Sequence, residues 1–74
     1  MLEVVHKRNF LKRIYKIKDN FIKNQIKNKI KKILEDPEVG KPMRYARKGT
    51  RELYINSFRL SYVYLKDENK IIFL

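Results

Sequence analysis

Two different hydrophobic periods divide the 74-residue chain into a helical part and a strand part. Residues Leu2–Val5 have the β-branched composition of a short strand. Two runs with apolar residues every three or four positions follow, which is helical spacing. We expect Asn9 to cap the first helix and Asp19-Asn20 to cap the second. The inward positions are predicted to be Phe10, Leu11, Ile14 and Ile17 in the first helix, and Ile22, Ile26, Ile30, Ile33 and Leu34 in the second.

Pro37 ends the second helix, because the residue before a proline disfavours helical geometry. The short connection at Asp19-Asn20 predicts that the two helices form an antiparallel hairpin. Residues 39–43 contain both a glycine and a proline and are expected to form a loop.

The second part of the chain alternates with the period of β-strands. Arg51–Ile55 and Phe58–Leu65 are predicted strands joined by Asn56-Ser57, a two-residue connection in which Asn tolerates left-handed geometry. Residues 67–69 form the next turn, and Lys70–Leu74 is a third, almost wholly apolar strand. At a sheet edge, such a strand would invite pairing with another chain.

These elements predict an α+β fold in a single domain, residues 1–74. An N-terminal strand is followed by the antiparallel helical hairpin and then by a three-strand antiparallel meander. The meander belongs to one twisted sheet, and the helices cover one face of it. On the second strand of the meander, Phe58, Leu60, Tyr62 and Tyr64 share one face, and Arg59, Ser61 and Val63 share the other.

Charge adds a partner class to this picture. Nineteen Lys and Arg residues against eight Asp and Glu give a net charge of +11, so a polyanion is the first candidate ligand. The chain contains no cysteine and one histidine, His6, so residue composition supports neither a zinc site nor a two-metal nuclease. We expect His6 to be structural. No apolar run reaches the ~20 residues of a membrane span, so we expect a cytoplasmic protein without a membrane partner.

The positive charge is concentrated in two places. Lys23, Lys27 and Lys31 repeat every four residues along the second helix and are called the lysine ridge below. The ridge is either a solvated helix face in a lysine-rich chain or a contact surface for phosphates or an acidic protein. The second place is an arginine cluster, which comprises Arg44, Arg47, Lys48 and Arg51. Hairpin pairing about Asn56-Ser57 is expected to set Arg59 near Tyr54 and Ile55, close to this cluster.

The arginine cluster has the chemistry of a nucleic-acid contact. Guanidinium groups make bidentate contacts with phosphate, and Tyr45 or Tyr54 can stack on an unpaired base. The alternative is that these arginines only flank the sheet. No glycine-rich phosphate loop and no nucleophile–base pair is evident in the sequence. An enzyme built from these residues would therefore act on RNA, whose own 2′-hydroxyl attacks the neighbouring phosphate while arginine stabilises the charge.

Three stretches of the chain resemble the RelE/ParE toxin superfamily. They are 36–44 (DPEVGKPMR), 51–54 (RELY) and 57–62 (SFRLSY), and the predicted order of elements is also that of the superfamily. The resemblance implies a type II toxin–antitoxin toxin, with a cognate antitoxin as its partner and no cofactor. RelE-like members cleave mRNA in the ribosomal A site without metal, whereas ParE-like members inhibit DNA gyrase and are not nucleases.

The resemblance also assigns roles to residues. Arg59 matches the sheet arginine that stabilises the phosphate in cleaving members and is the expected catalytic residue. Arg44 matches a basic position at the end of the loop. Arg44, Arg47, Lys48, Arg51 and Tyr54 are the expected nucleic-acid contacts, and the lysine ridge is the expected antitoxin contact.

The chain departs from cleaving members in two ways. It has Glu52 and Tyr54 where those members often place lysine or arginine. Their remaining catalytic groups follow the last strand, and the sequence ends at Leu74, so we expect a domain that lacks the family's C-terminal segment. Three functions therefore stay open: a RelE-like mRNA endoribonuclease that inhibits translation, a ParE-like gyrase inhibitor, and a degenerate toxin that binds antitoxin or nucleic acid.

Overall fold

The computed structural model describes residues 2–44, 47–56 and 58–74. They form two helices and a five-stranded mixed sheet with the strand order β1-β5-β4-β3-β2, so the predicted α+β class is confirmed. The elements in chain order are β1 Glu3–His6, α1 Arg8–Lys16, α2 Asn20–Glu35, β2 Lys41–Pro42, β3 Thr50–Ile55, β4 Phe58–Leu65, a 3-10 helix Lys66–Glu68, and β5 Lys70–Phe73.

The helices supply apolar side chains to one face of the sheet, as predicted. Burying these side chains is the main driving force for this small fold. Tyr62 of β4 and Phe73 of β5 are paired in register and fully buried. His6 stacks on Phe73 at a ring distance of 5.4 Å, which fits the structural role expected for it. The buried cluster consists of Phe10, Ile26, Ile33, Ile55, Leu60, Tyr62, Ile71 and Phe73.

The first helix begins earlier than predicted, and the proposed Asn9 cap is wrong. The Lys7 N–H still donates to the carbonyl of Phe73, at 2.9 Å, and so continues the strand pairing to this residue. The carbonyl of Lys7 then accepts the first helical hydrogen bond from Leu11, at 3.2 Å. The transition from strand to helix is therefore set by Lys7, and Asn9 lies inside α1.

The second helix has the predicted cap and end, but Leu34, predicted to face inward, is 39% exposed, and Leu11 of the first helix is likewise 42% exposed. The Asp19 carboxylate accepts a hydrogen bond from the Phe21 N–H at 2.9 Å and caps the first turn. The helix ends at Glu35, just before Pro37. No helix in the described part of the chain has the length and apolar character of a membrane span.

The hairpin of β3 and β4 has the predicted register. Asn56 has a φ of 54°, so the residue expected to tolerate left-handed geometry adopts it; Ser57 lies outside the described residues. Strand β3 starts at Thr50, one residue earlier than predicted. The second left-handed residue, Asn69, closes the turn into β5 at a φ of 50°.

The last strand lies inside the sheet, so the condition under which it would invite pairing with another chain, a place at the sheet edge, is not met. Strand β5 pairs antiparallel with β4 on one side and parallel with β1 on the other. A strand with neighbours on both sides can carry apolar residues on both faces, which explains the run Ile71-Ile72-Phe73. The parallel pairing also moves the first strand to Glu3–His6 from the predicted Leu2–Val5.

The segment predicted as a loop at 39–43 contains a short edge strand. Lys41 pairs with Glu52 and Pro42 pairs with Arg51, so β2 covers only the start of β3. The Met43 N–H adds one more hydrogen bond to the carbonyl of Thr50, at 3.0 Å. Proline is tolerated there because it lies at the edge of the sheet.

Candidate nucleic-acid interface

The strand register divides the sheet residues between a helix-covered face and an open face. Side chains of directly paired residues lie on the same side of a sheet, and neighbours along a strand alternate. Because Leu60 and Tyr62 point into the core, the intervening residues of β4 point away from the helices. The open face carries Thr50, Glu52 and Tyr54 of β3, Arg59, Ser61 and Val63 of β4, and Lys70 and Ile72 of β5.

Arg59 and Tyr54 are neighbours on the open face. They are directly paired across the hairpin, which confirms the placement predicted from the length of the turn. The Arg59 side chain is 56% exposed, and Tyr54 is 61% exposed. An exposed guanidinium beside an exposed aromatic ring suits contact with a phosphate and a base.

Glu52 contacts both of these groups; the sequence marked it only as a departure from the cleaving members. Its side chain is 14% exposed, and its Oε2 is 3.7 Å from Nη1 of Arg59. Oε1 accepts a hydrogen bond from the Tyr54 hydroxyl at 3.3 Å. Oε2 itself is buried and has no hydrogen-bond partner among the described residues. The alternation of β3 would have revealed this position, because Glu52 and Tyr54 share a face.

A cavity of about 330 Å³ lies farther along the open face. Its floor is apolar, and Val63 is only 3% exposed although it points away from the helices. Two cations, Lys7 and Arg47, are among its lining residues. The lining residues are Lys7, Met43, Arg47, Thr50, Ser61, Val63, Ile72 and Leu74. The open face therefore combines a polar end at Arg59 with an apolar hollow bordered by positive charge.

Arg47 and Lys48, two of the predicted nucleic-acid contacts, lie in the turn that precedes β3. Thr50 N–H donates to the carbonyl of Arg47, and Tyr64 N–H donates to the carbonyl of Gly49, at 3.0 and 2.9 Å. Gly49 has a φ of +92°, and a Cβ there would come within 2.8 Å of the Tyr64 carbonyl oxygen, so the turn requires glycine. Arg47 lines the cavity, and Lys48 is exposed next to it.

The loop before this turn contains the other two residues of the prediction. Arg44 is exposed and follows β2. Tyr45 lies outside the described residues, so its proposed stacking on a base stays a prediction.

Arg51 does not share the face of Arg59, which corrects the picture of one cluster of five cations. It pairs with buried Tyr62 and therefore points toward the helices. Its Nη1 donates to the carbonyls of Glu38 and Gly40 at 3.0 and 2.7 Å, and Nη2 is 3.7 Å from the Glu38 carboxylate. Its placement follows from the alternation of β3, but these partners depend on the path of the loop.

Tyr62 fixes the same loop from inside the core. Its hydroxyl donates to the carbonyl of Pro37 at 2.8 Å and accepts from the N–H of Gly40 at 2.9 Å. Burial raises the pKa of Tyr62, while the Gly40 hydrogen bond and the charge of Arg51 oppose that rise. We refer to Tyr62, Arg51, Gly40 and Glu38 as the loop anchor.

The lysine ridge lies on α2, in the helical layer on the opposite side of the sheet. Lys23, Lys27 and Lys31 are all exposed. Its separation from the open face gives the molecule two distinct basic surfaces. Among the described residues, no three His, Cys, Asp or Glu side chains come together in a way that could hold a metal ion.

Comparison with solved structures shows which known fold this chain shares. The chain superposes on a chain of the intact E. coli RelBE toxin–antitoxin complex with a TM-score of 0.80. Sequence identity is 17%, and the match covers 99% of this chain and 90% of that chain. The isolated E. coli RelE toxin gives the same TM-score and identity, with 99% of this chain and 79% of that chain covered.

The chain has a RelE-like fold. A third structure, an E. coli RelE variant with two arginines replaced by alanine, in complex with an antitoxin RelB peptide, gives a TM-score of 0.78. Identity there is 19%, over 97% of this chain and 77% of that chain. No protein-family profile matches the sequence, and no curated protein matches it either. The fold relationship is therefore seen in the backbone and in the order of the elements.

Proposed function

We propose that this protein is the toxin of a type II toxin–antitoxin pair and cleaves ribosome-bound mRNA in the cytoplasm without a metal or cofactor. The observation that carries the proposal is an exposed arginine on the uncovered face of a RelE-like sheet. The net charge of +11 supports a polyanionic substrate. The solved relatives include toxin–antitoxin complexes, which supports an antitoxin partner.

RNA cleavage does not require a nucleophile from the protein, because the substrate supplies its own. The 2′-oxygen attacks the adjacent phosphorus, and negative charge accumulates on the phosphorane oxygens. Arg59 can donate several N–H groups to those oxygens in a fixed planar fork. Tyr54 lies beside Arg59 and is exposed, so its ring can hold a base in place by stacking.

The cations around the hollow extend the same surface. Arg47, Lys48 and Arg44 are exposed and suit phosphates on either side of the scissile bond. Arg51 is left out of this proposed contact, because its guanidinium is engaged by the loop carbonyls.

The antitoxin is proposed to be acidic and amphipathic. The lysine ridge offers it a positively charged helix face, with three exposed ammonium groups on successive turns. Like charges at this spacing cost about 0.2–0.5 kcal/mol per pair, which a bound acidic segment would relieve. Binding of this kind weakens as the salt concentration rises.

A second candidate function is a degenerate toxin that binds antitoxin or RNA without cleaving it. The observation that favours this reading is the Glu52 carboxylate at 3.7 Å from Arg59, which offsets positive charge where a phosphate would bind. A ParE-like inhibitor of DNA gyrase is the third alternative from the sequence, and it predicts no RNA cleavage at all.

A toeprint assay on translating ribosomes separates the three. The proposal expects cleavage of the message at the A-site codon, retained in EDTA and lost with Arg59→Ala, together with growth arrest on induction in a host that lacks the antitoxin. Intact message on active ribosomes would overturn it. Inhibition of gyrase supercoiling by stoichiometric protein would then favour the ParE-like alternative, and normal growth would favour the degenerate toxin.

A further inference from the structure

Another cavity, of about 410 Å³, lies where the tip of the β3–β4 hairpin meets α2. Ligand pockets in proteins measure about 300–1,000 Å³, so this one can hold a small molecule or one unit of a polymer. Ile55, which is 3% exposed, adds apolar surface to its wall. The polar lining from α2 is Gln25, Asn28, Lys29 and Lys32, and the hairpin contributes Tyr54 and Asn56. The cavity thus joins amide, charged and aromatic groups from two elements that are distant in the sequence.

Three amide side chains give the cavity both donors and acceptors. Nδ2 of Asn56 donates to Oε1 of Gln25 at 3.1 Å, which connects the turn of the hairpin to the helix. This bond leaves the amide oxygen of Asn56 as an acceptor and the amide nitrogen of Gln25 as a donor, and Asn28 adds one group of each kind. The edges of nucleic-acid bases carry donors and acceptors side by side, and Asn and Gln contact them through paired hydrogen bonds. The amides therefore have the chemistry of a base contact.

Positive charge and an aromatic ring stand beside these amides. Lys29 and Lys32 are separated by about one turn of α2, and neither has an ion-pair partner in the part of the chain that the structure describes. Tyr54 lines the cavity with a side chain that is 61% exposed, and unpaired bases stack on such rings. Tyr54 is also the register partner of Arg59. The cavity therefore borders the guanidinium that is proposed to bind the scissile phosphate.

We propose that this cavity is a nucleotide-binding subsite, which holds one unpaired residue of the RNA next to the scissile phosphate. This inference rests on the proposed function and names a further contact of the same RNA surface. The base stacks on Tyr54 and bonds to the amides, while the phosphate on its far side lies on Lys29 and Lys32. Carboxylates of an acidic protein segment would use the two lysines, but they are acceptors only and would leave the amide oxygens without donors. The lining therefore favours RNA over an acidic protein.

The test is an NMR titration of the free protein with adenosine 5′-monophosphate. We expect saturable shifts of the side-chain amide signals of Gln25, Asn28 and Asn56, because these groups line the cavity. Ribose 5-phosphate carries the same sugar and phosphate without a base. It should bind about tenfold more weakly or less, since it makes none of the paired hydrogen bonds to the amides.

Two variants separate the base contact from the phosphate contact. Gln25→Leu keeps the size of the side chain but removes the amide, and it should weaken binding of adenosine 5′-monophosphate about tenfold. Lys32→Gln removes one ammonium group and should weaken binding by a smaller factor that disappears in high salt. Asn24→Leu and Lys18→Gln are the matched controls. Both change exposed residues in or just before α2 that do not line the cavity, so the affinity should stay at the wild-type level.

The outcomes distinguish this inference from the proposed function, because the titration needs neither ribosomes nor cleavage. If adenosine 5′-monophosphate leaves the amide signals unshifted, or if ribose 5-phosphate binds equally well, the cavity does not contact a base and the inference is wrong. If a glutamate-rich peptide shifts these signals and the nucleotide does not, the cavity belongs to a protein partner, and the inference is equally wrong. A protein that binds the nucleotide here but leaves the message intact would contradict only the proposed function.

In the toeprint assay, Gln25→Leu should raise the protein concentration needed for half-maximal cleavage about tenfold, with the rate at saturation unchanged. An unchanged concentration in a variant that has lost nucleotide binding would show that the bound nucleotide does not adjoin the scissile phosphate.

Discussion

Arg51 and Arg59 lie on neighbouring strands of the same hairpin but belong to opposite faces of the sheet. Arg51 pairs with buried Tyr62 and donates to two loop carbonyls, whereas Arg59 pairs with exposed Tyr54 and its side chain is 56% exposed. The same residue type therefore has two different roles. Because side chains alternate between the two faces along a strand, the position of each arginine in its strand decides which face it occupies and so which role it takes.

The difference extends to the partners of the two arginines. The loop anchor satisfies its polar groups internally, since the Tyr62 hydroxyl both donates and accepts a hydrogen bond. On the open face, Oε2 of Glu52 has no hydrogen-bond partner in the part of the chain that the structure describes, and Tyr54 is 61% exposed. The satisfied groups stabilise the fold, whereas the exposed side chains of Arg59 and Tyr54 are accessible to a ligand.

Arg59→Ala should give the largest effect, and it should be an effect on activity. Loss of one transition-state donor reduces the rate by about 10²–10³, equivalent to about 2.7–4 kcal/mol. The free energy of unfolding should fall by no more than about 1 kcal/mol, because the ion pair to Glu52 is half exposed on the arginine side. Toeprint cleavage rates and urea denaturation measure the two quantities, with Lys70→Ala as a cation control on the same face.

Arg51→Met should reverse this pattern. The substitution keeps the aliphatic stem but removes the donors to the carbonyls of Glu38 and Gly40. Hydrogen bonds from a charged donor contribute about 1.5–3 kcal/mol, so we expect a loss of that order in the free energy of unfolding. Cleavage per folded molecule should stay at the wild-type level. A loss of activity in fully folded Arg51→Met would return Arg51 to the nucleic-acid contact.

The pairing of β3 with β4 can be predicted from the sequence, because the two strands are neighbours along the chain. A two-residue connection and strict alternation are enough to pair Arg59 with Tyr54 and to place Leu60 and Tyr62 in the core. The same alternation assigns Arg51 and Glu52 to their faces, although simple proximity along the chain suggested one cluster. The register of a strand is therefore a better guide to a site than spacing alone.

Other features depend on contacts between distant parts of the chain and could not be predicted. The central position of β5 requires parallel pairing with β1, which joins the two ends of the sequence. The hydrogen bonds of Arg51 depend on the path that the loop takes after Pro37. The start of α1 is set by the hydrogen bond between Lys7 and Phe73, so no local cap at Asn9 was needed.

Tyr62→Phe tests the hydrogen bonds that the Tyr62 hydroxyl contributes to the loop anchor. The substitution leaves the Gly40 N–H and the Pro37 carbonyl without their partner. An unsatisfied buried group costs about 1–3 kcal/mol, and denaturation should show a loss in that range. Tyr64→Phe, two positions along the same strand, is the matched control and should cost less.

The same tyrosine should make stability dependent on alkaline pH. Burial raises the pKa of Tyr62 above that of an unfolded chain, where tyrosine ionises near pH 10. The unfolded state therefore loses its proton first, so the contribution of Tyr62 is complete below about pH 10 and declines as the pH rises through the folded pKa. The difference in unfolding free energy between wild-type protein and Tyr62→Phe should shrink across this range. A constant difference would show that the pKa of Tyr62 is the same in the folded and unfolded states.

Glu38→Gln should have the smallest effect and shows which part of Glu38 holds Arg51. The carboxylate is 3.7 Å from both Arg51 and Lys66 and is half exposed, so its ion pairs are worth at most about 1 kcal/mol and weaken in salt. The carbonyl of Glu38 accepts a 3.0 Å hydrogen bond from Arg51 and is unaffected by the substitution. We therefore expect Glu38→Gln to cost less than Arg51→Met in denaturation at any salt concentration. Equal losses would mean that the ion pair holds the guanidinium, and Arg51 would then resemble Arg59 in relying on a carboxylate.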